Sequence, residues 1–386
     1  MVRPLWRVGT KRATVRGMRF DPEQEELRRT VRTLLERAAG GDVWRLLAEQ
    51  VGALGLAVPE EYGGAGFSVL ETHVVLEELG AALAAPGFLS TTLAAQAILA
   101  GDSAAPDVEI AAKAELLPGI ACGQTRATVV WGGAVGTPGE TTVAASAEIS
   151  AGTPGSGGGW RLTGAGEHVL DAGDSDLFVV RARVPGHGEA GRQPAATGLF
   201  VVAAADAAVD VVETVDPGRP QARVEFEHSP ATLLSTQAPW DRILDLACVA
   251  LSAEQVGAAQ RAFDLTLAYA KQRVQFGRPI GSFQAVKHRL ADMFALLESA
   301  RSASYAAAFA AASGHELTVA ASRAKAYCSE AFSTIAGEAI QLHGGIGITW
   351  EHPIHLYFKR AHVTSQLFGS PAWHRSRYAR AVGIAA

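Results

Sequence analysis

Cysteine and methionine are both scarce in this chain of 386 residues, which contains three of each. The cysteines, Cys122, Cys248 and Cys328, are odd in number and lie far apart in the sequence. Small secreted domains that are held together by disulfides need paired, closely spaced cysteines, so this class of protein is excluded. The pattern instead predicts reduced thiols and a cytoplasmic protein.

Long hydrophobic runs and a basic charge balance are also missing. Hydrophobic residues make up 48% of the chain and charged residues 19%, which is typical of a globular protein. No apolar segment reaches the roughly 18 to 20 residues of a transmembrane helix, so no membrane span is expected. The formal net charge of -5 argues against nucleic acid as the main partner, because phosphate backbones usually bind a basic face.

The order of patterns along the chain predicts an α+β fold with several domains. Residues 1–17 contain basic but no acidic side chains, and we expect them to be a disordered extension. Helical periodicity covers residues 18–119, with Asp21 as the first N-cap. Short β-branched and aromatic runs bounded by Gly, Pro and Asp predict a central β domain over residues 120–232. Residues 233–386 are helical again and favour an antiparallel bundle.

Two motifs in the C-terminal region carry the strongest functional signal. The first begins at Arg273 and has the sequence Arg-Val-Gln-Phe-Gly-Arg-Pro-Ile-Gly-Ser-Phe-Gln. Its Arg273 offers a planar fork suited to a diphosphate, and Phe276 offers a flat face for an adenine ring. The second motif is Gln341 followed by Gly344 and Gly345, where the missing Cβ atoms let backbone N–H groups approach phosphate oxygens. These features suit a ligand that carries a diphosphate and an adenine ring.

The two motifs resemble the flavin-binding segments of the acyl-CoA dehydrogenase family, and the resemblance extends over residues 18–384. It implies an N-terminal helical domain, a central antiparallel β-barrel-like domain and a C-terminal four-helix bundle. It also implies FAD bound between the subunits of a homo- or hetero-oligomer, a dimer or a tetramer. The positions that it assigns to FAD binding are Arg273, Gln275, Phe276, Phe283, Gln284, Gln341, Gly344, Gly345, His168, Leu170 and Ser370.

Three positions depart from the family pattern around the flavin and the substrate. His168 stands where many members have a tryptophan that stacks on the flavin, and Leu170 replaces a hydroxyl residue. Phe368 stands where the family has the glutamate that removes the substrate α-proton. A phenylalanine side chain cannot accept a proton, so the usual base is missing from this position.

A replacement base has one candidate on the first helix of the bundle. Some family members carry the base there, but the matching position in this chain is Ala247. Two helical turns further on, Glu254 lies in an apolar stretch, where an unpaired carboxylate is costly unless it has a partner or a function. Glu254 is therefore the candidate catalytic residue, with a structural or interface role as the alternative. The positions expected to contact the substrate are Asp245, Ala247, Leu251 and Phe368.

The expected function is FAD-dependent α,β-dehydrogenation of an acyl-CoA thioester whose acyl group is bulky, branched or of steroid type. The resemblance implies electron-transfer flavoprotein or a similar acceptor as the redox partner. Two alternatives stay open: a subunit of a heteromeric dehydrogenase that does not supply the base, and a flavin oxidase or monooxygenase of the same fold. His352, His355 and His362 lack acidic or cysteine neighbours at ligand spacing, so no metal site is predicted.

Overall fold

A computed structural model of the protein describes residues 19–38, 42–84, 87–101, 106–131, 142–147, 159–184, 196–236 and 238–384. The predicted extension at residues 1–17 lies outside this part of the chain. The helices are α1 (Pro22–Arg37), α2 (Val43–Leu46), α3 (Val69–Ala82), α4 (Phe88–Ala100), α5 (Pro106–Ala121), α6 (Trp240–Gln272), α7 (Gln284–Ser313), α8 (Leu317–His343), α9 (Ile354–Gln366) and α10 (Pro371–Ala381). The strands are β1 (Ala127–Val130), β2 (Ala144–Ala147), β3 (Trp160–Leu170), β4 (Leu177–Val184), β5 (Ala196–Ala203), β6 (Ala208–Val212), β7 (Gln221–Ser235), β8 (Val274–Gln275) and β9 (Arg278–Pro279).

The first helix begins where the sequence predicts. The Asp21 side chain accepts hydrogen bonds from the backbone N–H groups of Glu23 (2.9 Å) and Gln24 (2.8 Å). The Gln24 side chain in turn accepts one from the Asp21 N–H (3.0 Å), which completes a capping box. These contacts satisfy N–H groups that have no partner inside the helix, and they fix the start of α1.

The central sheet closes on itself. Strands β4, β2, β3, β7 and β5 pair in that order and β5 pairs back with β4, while β1 joins β4 and β6 joins β7. Phe178, Phe200 and Phe226 fill the interior and are at most 1% exposed. The sheet is mixed, not antiparallel throughout, because β1 runs parallel to β4, with Ala127 opposite Leu177. The β2–β3 hairpin supplies the crossover connection that a parallel pair requires.

The C-terminal region contains the four predicted bundle helices, α6 to α9, and a fifth helix. The fifth, α10, packs against α8 and begins at Ser370, whose hydroxyl accepts a hydrogen bond from the Trp373 N–H at 3.3 Å. The boundaries that the sequence suggests at residues 119 and 232 fall close to the ends of α5 and β7. As domain limits, they stay predictions.

Helices α3 and α6 touch through their backbones. A Cβ atom added to Gly257 would lie 1.8 Å from the Glu77 carbonyl oxygen, and one added to Gly80 would lie 2.1 Å from that of Glu254. Both positions therefore require glycine, because any side chain would push the helices apart. This close crossing fixes the N-terminal helices against the bundle and sets the position of Glu254 on α6.

Candidate active site

A hairpin on the surface carries the first predicted cofactor motif. Strands β8 and β9 are joined by Phe276 and Gly277, both with positive φ (+54° and +76°), as in the tightest hairpin turns. Phe276 is 91% exposed, so it packs against nothing substantial in its own chain. Phe283 lies 6.2 Å from Phe276 between ring centroids, and the Arg278 guanidinium lies 4.1 Å over the Phe283 ring. We name residues 273–284 the outer arm.

The second motif lies beside the outer arm. Tyr269, at the end of α6, stacks on His343 at the end of α8 with ring centroids 4.4 Å apart. Gln341 lies just before His343, Gly344 and Gly345 lie directly after it, and all three are exposed. A Cβ atom on Gly345 would meet nothing within 4 Å, so packing within the chain does not require glycine there. Both motifs are therefore exposed and can contact a molecule outside this chain.

An apolar cavity of about 340 Å³ lies between α4, the β domain and the junction of α9 with α10. Leu170, Val363 and Phe368 are among its apolar walls, and Ser90 contributes a buried hydroxyl group. Its two carboxylates, Glu167 and Glu213, belong to exposed residues at the rim. Within the described ranges, no buried carboxylate lines this cavity. The full lining is Ser90, Leu93, Thr128, Val129, Trp131, Glu167, His168, Leu170, Arg181, Val212, Glu213, Thr214, Gln221, Leu244, His362, Val363, Gln366, Leu367, Phe368 and Gly369.

Phe368 is held in place by its backbone and by an aromatic neighbour. It has a positive φ of +57°, and its ring centroid lies 5.6 Å from that of Trp131. Its carbonyl oxygen lies 2.8 Å from Nε2 of the buried His374. Burial lowers the pKa of His374 to about 4, so this imidazole is neutral near pH 7 and donates its Nε2 proton to the carbonyl. The side chain at position 368 is therefore fixed in the cavity wall.

The departures at positions 168 and 170 both lie at the cavity. His168 has a positive φ of +54° at an irregularity between β3 and β7, and its Nδ1 lies 3.1 Å from Gln221 Oε1. It is exposed at the rim, whereas Leu170 is buried in the wall. Ser370 does not line the cavity and instead caps α10. FAD contacts at these three positions stay predictions.

Glu254 lies away from the cavity lining. It is 5% exposed and forms an ion pair with Arg219, which is 3% exposed. Next to this pair, Arg360 binds Asp216, and Asp171 lies close enough for the Arg219 charge to affect its pKa. These contacts describe a buried charge network between the β domain and the bundle. The catalytic assignment of Glu254 stays a prediction.

The substrate positions separate into two groups. Asp245 lines an open cleft at the start of α6, accepts a hydrogen bond from Thr318 Oγ1 (2.6 Å) and pairs with Arg377. Ala247 and Leu251 are fully buried in the core and line neither the cleft nor the cavity. Contact between these residues and a substrate also stays a prediction.

Sequence reasoning missed several groups around the cavity. Trp131 is the last residue of a run that predicts a strand, and the sequence gives it no further role; in the structure β1 ends one residue earlier, at Val130. Ser90 donates to Asp171 Oδ2 over 2.6 Å, although the two residues are 81 positions apart. Burial raises the pKa of Asp171, against the lowering effects of Arg219 and Ser90. No local motif predicts such a contact, because it depends on how α4 packs against the β domain.

Over the residue ranges that the structure describes, no three His, Cys, Asp or Glu side chains come together as a metal site. Among the helices in the same ranges, none is long and apolar enough to cross a membrane.

Comparison with known protein families shows to which family the chain belongs. The models of the acyl-CoA dehydrogenase N-terminal and C-terminal domains match residues 21–124 and 241–383. The chain belongs to the acyl-CoA dehydrogenase family. Acyl-CoA dehydrogenase IpdE2 of Mycobacterium tuberculosis is 37% identical over 364 residues, which cover 90% of this chain and 94% of that protein.

Solved acyl-CoA dehydrogenase structures have the same fold. A variant of the Tcur3481–Tcur3483 steroid ACAD is 31% identical, with a TM-score of 0.79 over 94% of this chain and 98% of that one. The ChsE4–ChsE5 complex from Mycobacterium tuberculosis is 28% identical, with a TM-score of 0.80 over 96% of this chain and 99% of that one.

Acyl-CoA dehydrogenases are FAD-dependent oxidoreductases, and the outer arm fits a dinucleotide. The exposed Phe276 ring would hold the adenine, the Arg273 fork would hold the diphosphate, and the bare backbone at Gly345 leaves room for phosphate oxygens. All three face away from the chain that carries them. When bound, FAD supplies the acceptor for the substrate β-hydride.

Proposed function

We propose that this chain is the subunit of a heteromeric acyl-CoA dehydrogenase that does not supply the base. Its outer arm completes the FAD site of a base-bearing partner, and its own cavity carries out no proton abstraction. The substrate is an acyl-CoA thioester with a steroid-type or similarly bulky acyl group. Electron-transfer flavoprotein or a similar acceptor then takes the electrons.

The side chain at position 368 carries this proposal. Removal of the α-proton needs an aligned base within hydrogen-bond reach of the substrate. Phe368 occupies the family's base position and packs on Trp131, while the cavity's two carboxylates lie at the exposed rim. Glu254, the other candidate, is already bound to Arg219. A second subunit with a carboxylate at the matching position would restore the missing group.

The outer arm also supports the proposal that this chain contributes to FAD binding while a partner supplies the base. An aromatic ring that is 91% exposed lowers solubility and contributes little to the packing of its own chain. Together with Arg273 and Gly345, it retains the features that a flavin in a neighbouring subunit would contact. The chain therefore has the residues that would contact a partner's FAD but lacks the base that it would need to turn over substrate itself.

The substrate class rests on the relatives. Two solved neighbours contain paired chains, and one of them is described as a steroid ACAD.

Co-expression tests the proposal. We expect this chain, when expressed with a homologue that has glutamate at the position matching Phe368, to purify as one assembly that contains both chains and FAD. Gel filtration, mass spectrometry and the flavin-to-protein ratio measure this. A stable oligomer of this chain alone, with one FAD per chain and no association with the homologue, would contradict it.

A further inference from the structure

Two spaces meet at the start of α6 but differ in character. One is the apolar cavity described above. The other is an open cleft with Asp241, Arg242 and Asp245 among its walls, so charged side chains form part of its lining. Arg181 lines both spaces, which places it at their boundary.

Aromatic rings fill the boundary between the cleft and the cavity. Trp240, from the cleft, meets Trp131, from the cavity wall, edge to face with centroids 6.0 Å apart. The Trp131 ring also contacts the Phe368 ring, with centroids 5.6 Å apart. On the other side, the Arg181 guanidinium lies 5.7 Å from the Trp240 ring. At these separations neighbouring rings are in van der Waals contact, so Trp240, Trp131 and Phe368 form a continuous aromatic contact that runs from the cleft to the cavity.

Trp240 is anchored and is not a loose surface ring. It is 8% exposed, and its Nε1–H donates to the Thr197 carbonyl oxygen over 3.3 Å. Leu244, one turn further along α6, faces the cavity, whereas Asp241 and Asp245 face the cleft. The first turns of α6 therefore form a wall with an apolar side and a polar side.

We propose that Trp131, Trp240 and Arg181 form a partition that keeps an acyl-CoA in the cleft from inserting its acyl group into this chain's own cavity. The diphosphate and adenosine of CoA can occupy the cleft, where Arg242 provides positive charge while Asp241 and Asp245 are both paired with Arg377. The acyl group is stopped at the aromatic contact, so it reaches a reacting centre only in the partner. This inference rests on the proposed function and adds that the cavity without a base is also closed to substrate.

Photo-crosslinking in the complete heteromeric assembly tests the partition. The probe is a steroid-type acyl-CoA with a diazirine in the acyl group, and labelled peptides are located by mass spectrometry. In the wild type we expect labelling within residues 362–369 of this chain to stay at background, while the partner is labelled. Trp131→Ala, and separately Trp240→Ala, should raise that labelling to a yield comparable with the partner's.

A matched control is Trp160→Ala. This ring packs on Phe200 inside the β domain, with centroids 5.5 Å apart, and lines neither space. It should leave labelling at background, and circular dichroism checks that all three variants are folded. Two results would overturn the partition. One is equal labelling of residues 362–369 and of the partner in the wild type. The other is labelling of residues 362–369 that stays at background in both Trp131→Ala and Trp240→Ala although both variants are folded. The proposed function fails on a different observation, which is reduction of flavin by an acyl-CoA in a sample of this chain without a partner.

Discussion

Arg219→Met is expected to lower the free energy of unfolding by about 3–5 kcal/mol, because it leaves the Glu254 carboxylate buried without its partner. Glu254 is only 5% exposed, so water cannot replace the lost guanidinium. Asp216 and Asp171 lie beside the same arginine and lose a compensating charge as well. Urea unfolding of the purified chain measures the effect.

The matched control for Arg219 is Arg223→Met in the neighbouring strand β7. Arg223 also pairs with two carboxylates, Glu167 and Glu225, but both pairs are solvent-exposed. The urea midpoint of Arg223→Met should match the wild type, since exposed ion pairs contribute little. A loss of less than about 1 kcal/mol in Arg219→Met would contradict the structural role of the buried pair. Glu254 would then again be available as a catalytic candidate.

Phe276→Ala and Arg273→Ala should each weaken FAD retention by the heteromeric assembly by about 1.5–3 kcal/mol, or roughly ten- to 150-fold. Phe276 loses a stacking face and Arg273 loses charge-assisted hydrogen bonds to phosphate. Thermal unfolding of this chain alone should not change in Phe276→Ala, because 91% of the residue is exposed. The flavin-to-protein ratio after gel filtration is the readout.

Phe67→Ala is a suitable control for the outer arm. Phe67 is also a largely exposed aromatic residue, at 57%, but it lies in the N-terminal helical domain. Its loss should leave the flavin ratio at the wild-type value. If the assembly kept its full FAD content with both arm substitutions combined, the outer arm would not bind the cofactor.

The sequence was sufficient for the order of helical and β regions, whereas FAD binding by the outer arm stays a prediction. The arm is a continuous motif whose turn residues, Phe276 and Gly277, define its geometry locally. The helix start at Asp21 was equally local, because a capping box involves residues three positions apart. The parallel pairing of β1 with β4 was not predictable, since alternation of side chains contains no information on strand direction.

The cavity wall shows where prediction from one sequence stops. Phe368 could be found by its spacing from the preceding motif, but its contact with Trp131 depends on tertiary packing. Glu254 was recognised as an unusual buried acid, whereas its partner Arg219 lies 35 residues earlier in a loop without periodicity. The partition at Trp240 likewise joins segments that share no local pattern.

Anaerobic flavin reduction tests the central claim most directly. Unbound FAD is first removed from two samples, this chain alone and its assembly with the base-bearing homologue. A panel of acyl-CoA thioesters, including steroid thioesters, is then added to each sample. The proposal predicts that the flavin absorbance is bleached in the assembly and stays unchanged in any flavin bound to this chain alone. Bleaching by this chain alone would contradict it, because Phe368 would then have been replaced by another base within the same subunit.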